Sequence, residues 1–352
     1  MTDFSEITTQ LQNKTILITG VAGFLGSHLA ETAFKAGAKV IGVDNFITGQ
    51  PRNLDEVTAA LGEQCVPGKN WWLVTADASQ SPATYLSPEL LIAIGRIDIV
   101  LHFASPASPP RYQAKPVETY LVNSQGTHEL LQWLKLNYPS ATFLFASTSE
   151  IYGDPEVHPQ PESYWGHVNP NGIRSCYDEA KRLGETICGV HERDFGMDVR
   201  IARIFNTYGP RLDLKDGRVI PNFISQALLG QPLTIYGDGS QTRSYCYVAD
   251  LVQGILLLAT RPGLKGTTVN LGNPEEYSLL ETAKQVFEIV TGQSFTPDQI
   301  KYQSLPGDDP TRRQPDIHLA AELLNWQPAV GFAEGIQKTA AYFRLLSPNP
   351  TV

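Results

Sequence analysis

Short apolar runs alternate with longer helical patterns from Lys14 onward. This alternation is typical of βαβ units, in which helices connect the strands of a mostly parallel sheet. Strands that are apolar throughout are usually covered by helices on both faces, so the pattern predicts an α/β fold with a doubly wound parallel sheet. Six strands are predicted, at residues 15–19, 39–44, 71–77, 97–104, 141–147 and 199–206.

A second, smaller α/β lobe is predicted after Asn206, where the segment TYGPRLDLKDGR is typical of a loop. The lobe would use a helix at 219–229, a strand and hairpin in LTIYGDG, and further helices and short strands from Tyr277 onward. YVADLVQGILLLA and TVNLG predict a helix and a strand that return to the first lobe. The predicted domains are 12–205 plus 245–273, and 206–244 plus 274–346.

Charge and cysteine content exclude several classes of protein. The formal net charge of −9 argues against a general nucleic-acid binder, because such proteins hold phosphates with clustered Lys and Arg. The four cysteines have no CxxC spacing, so neither a metal site nor a disulfide framework is expected. The first residues do not have the pattern of a signal peptide, and no apolar run reaches membrane-spanning length. We therefore expect a soluble, cytoplasmic protein without nucleic-acid or membrane partners.

Three glycines in TGVAGFLGSHLA, Gly20, Gly23 and Gly26, lie between the first predicted strand and a helix. Glycines at this spacing allow a tight turn, close approach of the backbone to a pyrophosphate, and close packing of helix on strand. The order strand, glycines, helix and second strand predicts a Rossmann dinucleotide-binding unit. Phe24 and Leu25 lie in the same segment and are further predicted cofactor contacts.

Asp44 ends the second predicted strand, where its carboxylate can accept hydrogen bonds from the adenosine ribose and repel a 2′-phosphate. This favours NAD over NADP as the cofactor. A turn residue with a structural role is the alternative explanation of Asp44. Asn45, Asp77 and Ala104 also lie at or near carboxyl ends of predicted strands and are further candidates for cofactor binding.

Tyr177 and Lys181 lie four residues apart in a predicted helix, so their side chains share one face. A free tyrosine has a pKa of about 10, and a neighbouring ammonium group favours the phenolate. We expect Lys181 to supply that charge and to hydrogen-bond the nicotinamide ribose, while Thr148 hydrogen-bonds the reacting hydroxyl. Tyr177 would then remove a proton as a hydride passes to NAD.

Together, these motifs resemble the extended short-chain dehydrogenases/reductases, the NAD-dependent epimerase/dehydratase family, over nearly the whole chain. Within that family the chain is most similar to the UDP-glucuronic acid decarboxylases, or UDP-xylose synthases. The similarity lies in FASPASPPRY, ASTSEIYGDPEVHPQPESYWGHVNP, SCYDEAKRLGET, ARIFNTYGPR, DGRVIPNFI, YGDGSQTRSYCYV, NLGNPEE and DDPTRRQPDI. Departures are modest: the tail segment reads RRQPD, and Ala180 stands where these decarboxylases often have glycine.

The resemblance implies that UDP-glucuronate is oxidised at C4, loses its carboxylate as CO2, and is reduced again to UDP-xylose. Ser149 stands where related 4,6-dehydratases have an aspartate, and a serine is a poor acid for eliminating water. By resemblance Glu150 assists decarboxylation and reprotonation at C5, with a structural hydrogen bond as its alternative role. Arg313 matches an arginine that binds the carboxylate and stabilises enolate charge, with the adjacent Arg312 as the alternative register.

Arg243 is the main candidate for the diphosphate, because a guanidinium group can bind phosphate oxygens in a bidentate manner. Asn206 and Arg211 follow the carboxyl end of a strand and are expected to assist. Family position assigns nucleotide contacts to four more residues, each of which could equally be solvated or structural: Arg218, Asn222, Tyr236 and Gln241. Tyr112 matches a tyrosine that contacts the sugar, and its alternative role is a packed loop aromatic.

Other functions and assemblies stay open at this point. A nucleotide-sugar 4-epimerase has the same NAD site and tyrosine–lysine pair, a 4,6-dehydratase would form a 4-keto-6-deoxy sugar, and a non-catalytic member would serve as a binding protein. Apolar stripes at 121–134 and 177–190 predict a homodimer through a four-helix bundle, with ordinary core packing as the alternative.

Overall fold

The computed structural model describes residues 4–305 and 307–346. Its strands are β1 (Thr15–Thr19), β2 (Lys39–Asp44), β3 (Trp71–Thr75), β4 (Ile99–His102), β5 (Thr142–Thr148), β6 (Val199–Ile204), β7 (Thr207–Tyr208), β8 (Leu233–Tyr236), β9 (Thr242–Ser244), β10 (Cys246–Tyr247), β11 (Thr268–Leu271), β12 (Glu276–Ser278), β13 (Ile300–Gln303) and β14 (Arg312–Arg313). Its α-helices are α1 (Ser5–Leu11), α2 (Phe24–Lys35), α3 (Pro51–Leu61), α4 (Pro88–Ile94), α5 (Pro109–Ala114), α6 (Pro116–Leu121), α7 (Thr127–Asn137), α8 (Ser175–Phe195), α9 (Val219–Leu228), α10 (Val248–Thr260), α11 (Leu279–Thr291), α12 (His318–Leu324) and α13 (Phe332–Leu346).

Seven strands form one parallel sheet in the order β11-β6-β5-β4-β1-β2-β3. β1 is buried along its whole length, with Ile16 and Ile18 in one hydrophobic core and Leu17 in another, because successive side chains of a strand point to opposite faces. The doubly wound α/β fold is therefore confirmed. The strand order reverses between β1 and β4, and such a switch point opens a crevice at the carboxyl ends of the strands.

All six strands predicted for the first lobe have observed counterparts, β1 to β6. β1 and β2 have the predicted bounds, whereas β4 is shorter than predicted because only Ile99–His102 pair with both β1 and β5. The hairpin predicted in LTIYGDG is wrong. β8 pairs in parallel with β13, a partner distant in the sequence, and the chain then enters a different sheet as β9.

Three small sheets lie beside the main one and join distant segments. β7 pairs with β10 and β8 with β13, both in parallel. In the third sheet β9 lies between β12 and β14, and its parallel pairing with β14 sets Arg243 opposite Arg313. Two predicted substrate-binding residues thus become neighbours.

The helix α8 carries Tyr177 and Lys181 and spans 21 residues. It ends at Phe195, and the next residue, Gly196, has a φ of +68°, in the left-handed region that favours glycine. α6 and α7 pack against α8. Across the described ranges, no helix combines the length and the apolar character needed to cross a membrane.

Candidate active site

The glycine-rich loop after β1 leads directly into α2. Gly20 has a φ of +73°, and a β-carbon there would lie 2.8 Å from backbone atoms of the segment after β4. A β-carbon on Gly26 would lie 2.1 Å from the Gly20 carbonyl oxygen, and one on Gly23 would lie 3.0 Å from it. Because α2 begins at Phe24, its first amides face this loop, and the backbone fits the close approach of a pyrophosphate.

Asp44 shapes the turn around this loop. Its Oδ2 accepts a hydrogen bond of 2.8 Å from the Ala22 amide, and its Oδ1 accepts one of 2.8 Å from the Phe46 amide. Burial raises the pKa of this carboxyl against the effect of the two amides. The structural role considered for Asp44 is therefore present, and its contact with ribose stays a prediction. The cavity beside it is also lined by Asn45, Asp77 and Ala104.

A larger cavity extends from the glycine loop to the end of β5 and the start of α8. It is lined by most of the predicted cofactor and catalytic residues and by three substrate candidates: Gly20, Gly23, Phe24, Leu25, Gly26, Thr148, Ser149, Glu150, Tyr177, Lys181, Asn206, Arg211 and Arg218. Widely separated segments thus meet at one place. The continuous path from the loop to Tyr177 fits a dinucleotide whose nicotinamide end reaches the tyrosine.

Thr148, Tyr177 and Lys181 meet at the carboxyl end of β5. Thr148 ends that strand and shares a side-chain hydrogen bond with Tyr177. The Nζ of Lys181 donates a 2.6 Å hydrogen bond to the Ala146 carbonyl oxygen and lies 5.6 Å from the centre of the Tyr177 ring. Both side chains of the pair therefore face β5 from α8.

Burial dominates the electrostatics of Tyr177 and Lys181. Burial and then the charge of Glu150 raise the pKa of the Tyr177 phenol well above its ordinary value, while the Thr148 hydrogen bond and the charge of Arg218 oppose this rise. Burial also lowers the pKa of Lys181 to about 7. Lys181 is only partly charged near neutrality, so the described residues alone do not produce the low phenol pKa that the sequence predicts.

Glu150 belongs to a buried charged cluster just after β5. Its Oε2 lies 2.7 Å from Arg174 Nη2 and accepts a 3.3 Å hydrogen bond from the Tyr112 hydroxyl, and its Oε1 lies 3.8 Å from Arg313 Nη1. Burial favours a higher pKa, but the charges of Arg174 and Arg313 outweigh it and hold the pKa of Glu150 below its ordinary value. Glu150 is a carboxylate at neutral pH. Arg312 is exposed, so Arg313 is the arginine that reaches this cluster.

Arg174 and Asp178 belong to the same cluster, although no sequence motif predicts a role for them. Arg174 Nη1 lies 3.1 Å from Asp309 Oδ1, and Asp178 is buried and hydrogen-bonded to Glu150. Both residues flank Tyr177 in the segment RSCYDEAK. A positive and a negative residue on either side of Tyr177, the candidate base, are the sequence signal that could point to Arg174 and Asp178.

A second cavity adjoins the first and holds most of the predicted nucleotide-binding residues. Glu150, Asn206 and Arg218 line both cavities, so the two meet beside the charged cluster. Arg243 Nη2 donates a 2.9 Å hydrogen bond to Asp309 Oδ2 and thus already binds an anionic group. The second cavity is lined in addition by Asn222, Tyr236, Arg243 and Arg313.

Arg211 has structural contacts beside its predicted role at the diphosphate. Its Nη2 lies 2.5 Å from Glu31 Oε2 in α2, and its Nε lies 3.3 Å from Glu56 Oε2 in α3. The guanidinium fastens the loop after β7 to two helices, and a phosphate would compete with two carboxylates. Its Nη1 has no hydrogen-bond partner in the described part of the chain and Arg211 lines the first cavity, so its diphosphate contact stays a prediction.

Tyr112 and Gln241 have structural contacts beside their predicted roles. Tyr112 is buried, and its ring stacks on Tyr177 with the ring centres 4.9 Å apart. This is the packing role considered as its alternative. The side-chain amide of Gln241 donates a 3.0 Å hydrogen bond to the Tyr236 carbonyl oxygen, and so stabilises the turn after β8.

The chain is similar to known enzymes along most of its length. The model of the NAD dependent epimerase/dehydratase family matches residues 16–272. UDP-glucuronic acid decarboxylase 1 of Xenopus tropicalis is 45% identical over 336 residues, which cover 96% of this chain and 73% of that relative.

Solved structures with the same fold have other activities. A UDP-glucuronic acid 4-epimerase from Bacillus cereus, in complex with UDP-glucuronic acid and NAD, superposes with a TM-score of 0.79 at 28% identity, covering 95% of this chain and 100% of that one. A dTDP-glucose 4,6-dehydratase from Streptomyces venezuelae with NAD bound has a TM-score of 0.80 at 26% identity, covering 94% and 97%. Because the family model spans most of the chain and a relative is 45% identical across almost all of it, the protein belongs to the NAD dependent epimerase/dehydratase family.

Proposed function

We propose that the protein is a UDP-glucuronate decarboxylase, which forms UDP-xylose and CO2 through a UDP-4-keto intermediate with NAD as its cofactor. The observation that carries this proposal is the buried Glu150 carboxylate between Arg174 and Arg313, beside Ser149 instead of an aspartate. Two guanidinium groups suit a substrate with a carboxylate at the reacting carbon. The activity named for the Xenopus tropicalis relative supports the same reaction.

The first step is oxidation at C4, with Tyr177 as the proposed base. When bound, NAD supplies the acceptor for the C4 hydride and the donor that later returns it. Thr148 would orient the C4 hydroxyl, and Lys181 would hold the nicotinamide ribose. Tyr177 must be a phenolate to take the hydroxyl proton, and the described groups that favour this form are Thr148 and Arg218.

The second step is loss of CO2 from C5. Once C4 is a ketone, the carboxylate is β to a carbonyl, so the carbon–carbon bond can break and leave its electron pair as an enolate. Arg313 would bind the carboxylate first and then stabilise the enolate. Its buried Nε has no hydrogen-bond partner among residues 4–305 and 307–346, so a donor is available for such a ligand. Glu150 would assist reprotonation at C5 before the ketone is reduced.

The second cavity is the proposed site of the UDP group. Arg243 would bind the diphosphate in place of Asp309. Further nucleotide contacts are proposed for Asn206, Arg218, Asn222, Tyr236 and Gln241. On this proposal, residues 12–205 plus 245–273 bind the cofactor, and residues 206–244 plus 274–346 bind the nucleotide sugar.

We further propose a homodimer assembled through α6, α7 and α8. These helices pack together, and their large exposed apolar side chains include Val117, Tyr120 and Leu183. Exposed apolar side chains on neighbouring helices are typical of a protein interface. A π-helical segment at Val122–Gly126 joins α6 to α7, so each copy presents two long helices, α6–α7 and α8. Two copies of this face would form a four-helix bundle around a two-fold axis.

Incubation of the purified protein with UDP-glucuronate and NAD tests the activity. We expect UDP-xylose and CO2 in equal amounts, measured by chromatography and by trapping of CO2. Tyr177→Phe is the control and should be inactive, because it lacks the hydroxyl that accepts the proton. UDP-galacturonate without CO2 would instead identify a 4-epimerase, and a 4-keto-6-deoxy product from UDP-glucose would identify a dehydratase.

A further inference from the structure

Asp178 is a buried carboxyl group beside Tyr177 that has no role in the steps above. It lies in the first turn of α8, and only 7% of its surface is exposed. It shares a side-chain hydrogen bond with Glu150, and its Oδ1 has no hydrogen-bond partner in the described part of the chain. A buried carboxylate with an unsatisfied oxygen is unfavourable, so the protonation state of Asp178 needs an explanation.

Asp178 and Glu150 interact directly while buried, and two neighbouring negative charges repel each other, so one of the two carboxyl groups is expected to hold a proton. Arg174 and Arg313 lie 2.7 and 3.8 Å from Glu150 oxygens and favour the negative charge there. The proton therefore belongs to Asp178. Burial and then the charge of Glu150 raise the pKa of Asp178 well above its ordinary value, against the opposing effect of the two arginines.

Decarboxylation consumes a proton that Glu150 does not hold. When the bond to CO2 breaks, its electron pair stays on the sugar as an enolate, and C5 must then gain a proton. Glu150, whose pKa the charges of Arg174 and Arg313 hold below its ordinary value, is ionised at neutral pH. It can donate a proton to C5 only after it has received one.

We infer that Asp178 is the proton reservoir of this site and supplies C5 through Glu150, an inference that rests on the proposed function. The O–H bond of Asp178 breaks as Glu150 takes that proton, and Glu150 passes a proton to C5 to form the new C–H bond. Asp178 is left as a carboxylate and regains a proton from solvent before the next turnover. One solvent proton is thus consumed for each CO2 released. Asp178 acts through Glu150 and is a positioning residue.

The titration of Asp178 can be separated from that of the groups around it. Burial raises the pKa of its three other titratable neighbours above their ordinary values: Tyr112, Cys176 and Tyr177. Arg174 and Arg313 stay charged throughout. Asp178 loses its proton only at a pH above the ordinary range of an aspartate, so product formation should decline as the solution becomes alkaline. Lys181 titrates near pH 7 beside β5, and this titration should affect all variants of Asp178 alike.

Asp178→Asn tests the inference, because asparagine keeps a donor for Glu150 but cannot release a proton at these pH values. Protein loaded with NAD is mixed rapidly with UDP-glucuronate, NADH absorbance reports C4 oxidation, and quenched samples report UDP-xylose. We expect NADH to form at the wild-type rate and UDP-xylose formation to fall by about 10²-fold, a typical contribution of proton transfer from a positioned group. The alkaline decline seen for the wild type should be absent in the variant.

Matched variants complete the test. Glu179→Gln changes the next residue of α8, which is half-exposed and pairs with Arg182, and it should behave as the wild type. Asp178→Glu restores an acid and should recover product formation. If thermal melting shows that the asparagine variant is unfolded, Asp178→Ser makes the same comparison with a smaller side chain.

The outcomes separate this inference from the proposed function. Equal slowing of NADH and UDP-xylose formation, or an alkaline decline that persists without Asp178, would overturn the role of Asp178. A wild-type protein that releases no CO2 from UDP-glucuronate would overturn the proposed function instead.

Discussion

Two carboxyl groups in this site differ in protonation state because their surroundings differ. Glu150 and Asp178 are hydrogen-bonded carboxyl groups, yet two arginines favour the ion at Glu150, whereas burial and the charge of Glu150 favour the protonated acid at Asp178. Pairs of titratable groups whose pKa values are pushed apart are a common basis for acid and base roles. The cluster therefore contains a protonated acid, Asp178, beside a negatively charged carboxylate, Glu150.

Glu150→Gln should slow loss of CO2 more than oxidation at C4. Glutamine keeps the size of the side chain but leaves Arg174 and Arg313 without a carboxylate and cannot relay a proton. On mixing with UDP-glucuronate we expect NADH to form and persist, while CO2 release falls by about 10²-fold. Stopped-flow absorbance and CO2 trapping measure the two steps. Equal loss of both steps would remove Glu150 from its proposed role.

The sequence predicts most residues that line the two cavities, because motifs at strand ends converge on one edge of a parallel sheet. It does not predict the ion pairs of Arg211, since Glu31 and Glu56 come from distant helices. Nor does it predict the raised pKa of Tyr177, because burial is a property of the whole fold.

The local pattern of apolar residues predicts where helices and strands lie, but it does not predict which strands pair with each other. The bounds of β1 and β2 can be predicted because their side chains are apolar and enter cores on both faces of the sheet. β8 is equally clear as a strand, yet its partner β13 lies in a distant segment. Small sheets built from such short strands leave no periodic signal that pairs them.

Gly26→Ala should weaken cofactor binding at the start of α2. The added carbon would lie 2.1 Å from the Gly20 carbonyl oxygen, so the loop must move. We expect a loss of stability of about 1–3 kcal/mol, the usual range for overpacking. Thermal melting and the amount of NAD that copurifies measure the two effects. Gly189→Ala in α8 is the control, because its β-carbon would meet only the movable end of Arg193. Normal NAD content in Gly26→Ala would contradict the proposed phosphate site.

The helix α8 contributes to two surfaces of the molecule, the candidate active site and the proposed dimer interface. One side of this helix presents Tyr177 and Lys181 to β5, and Leu183 on the same helix is exposed. If the exposed side forms the proposed dimer, the partner supports the helix that carries the reacting tyrosine. Assembly and turnover would then be linked through a rigid element.

Leu183→Glu should convert the proposed dimer into monomers. A charge placed in the centre of an apolar interface is desolvated without a partner, and this is strongly unfavourable. Size-exclusion chromatography with light scattering gives the mass of each variant. Ile92→Glu, an equally apolar and more exposed position on α4, is the control and should leave the mass unchanged. A wild-type monomer, or a dimer that survives Leu183→Glu, would refute this assembly.

The pairing of β9 with β14 has a consequence for how substrates are distinguished. Arg243 and Arg313 stand opposite each other on adjacent strands, which lie about 4.8 Å apart in a sheet. In the proposed complex, Arg243 binds the diphosphate and Arg313 binds the sugar carboxylate. The sheet therefore fixes the distance between the two anionic groups that one substrate molecule must carry. A glycosyl diphosphate with an acidic sugar can bind both arginines at once, whereas free UDP or free glucuronate can bind only one of them.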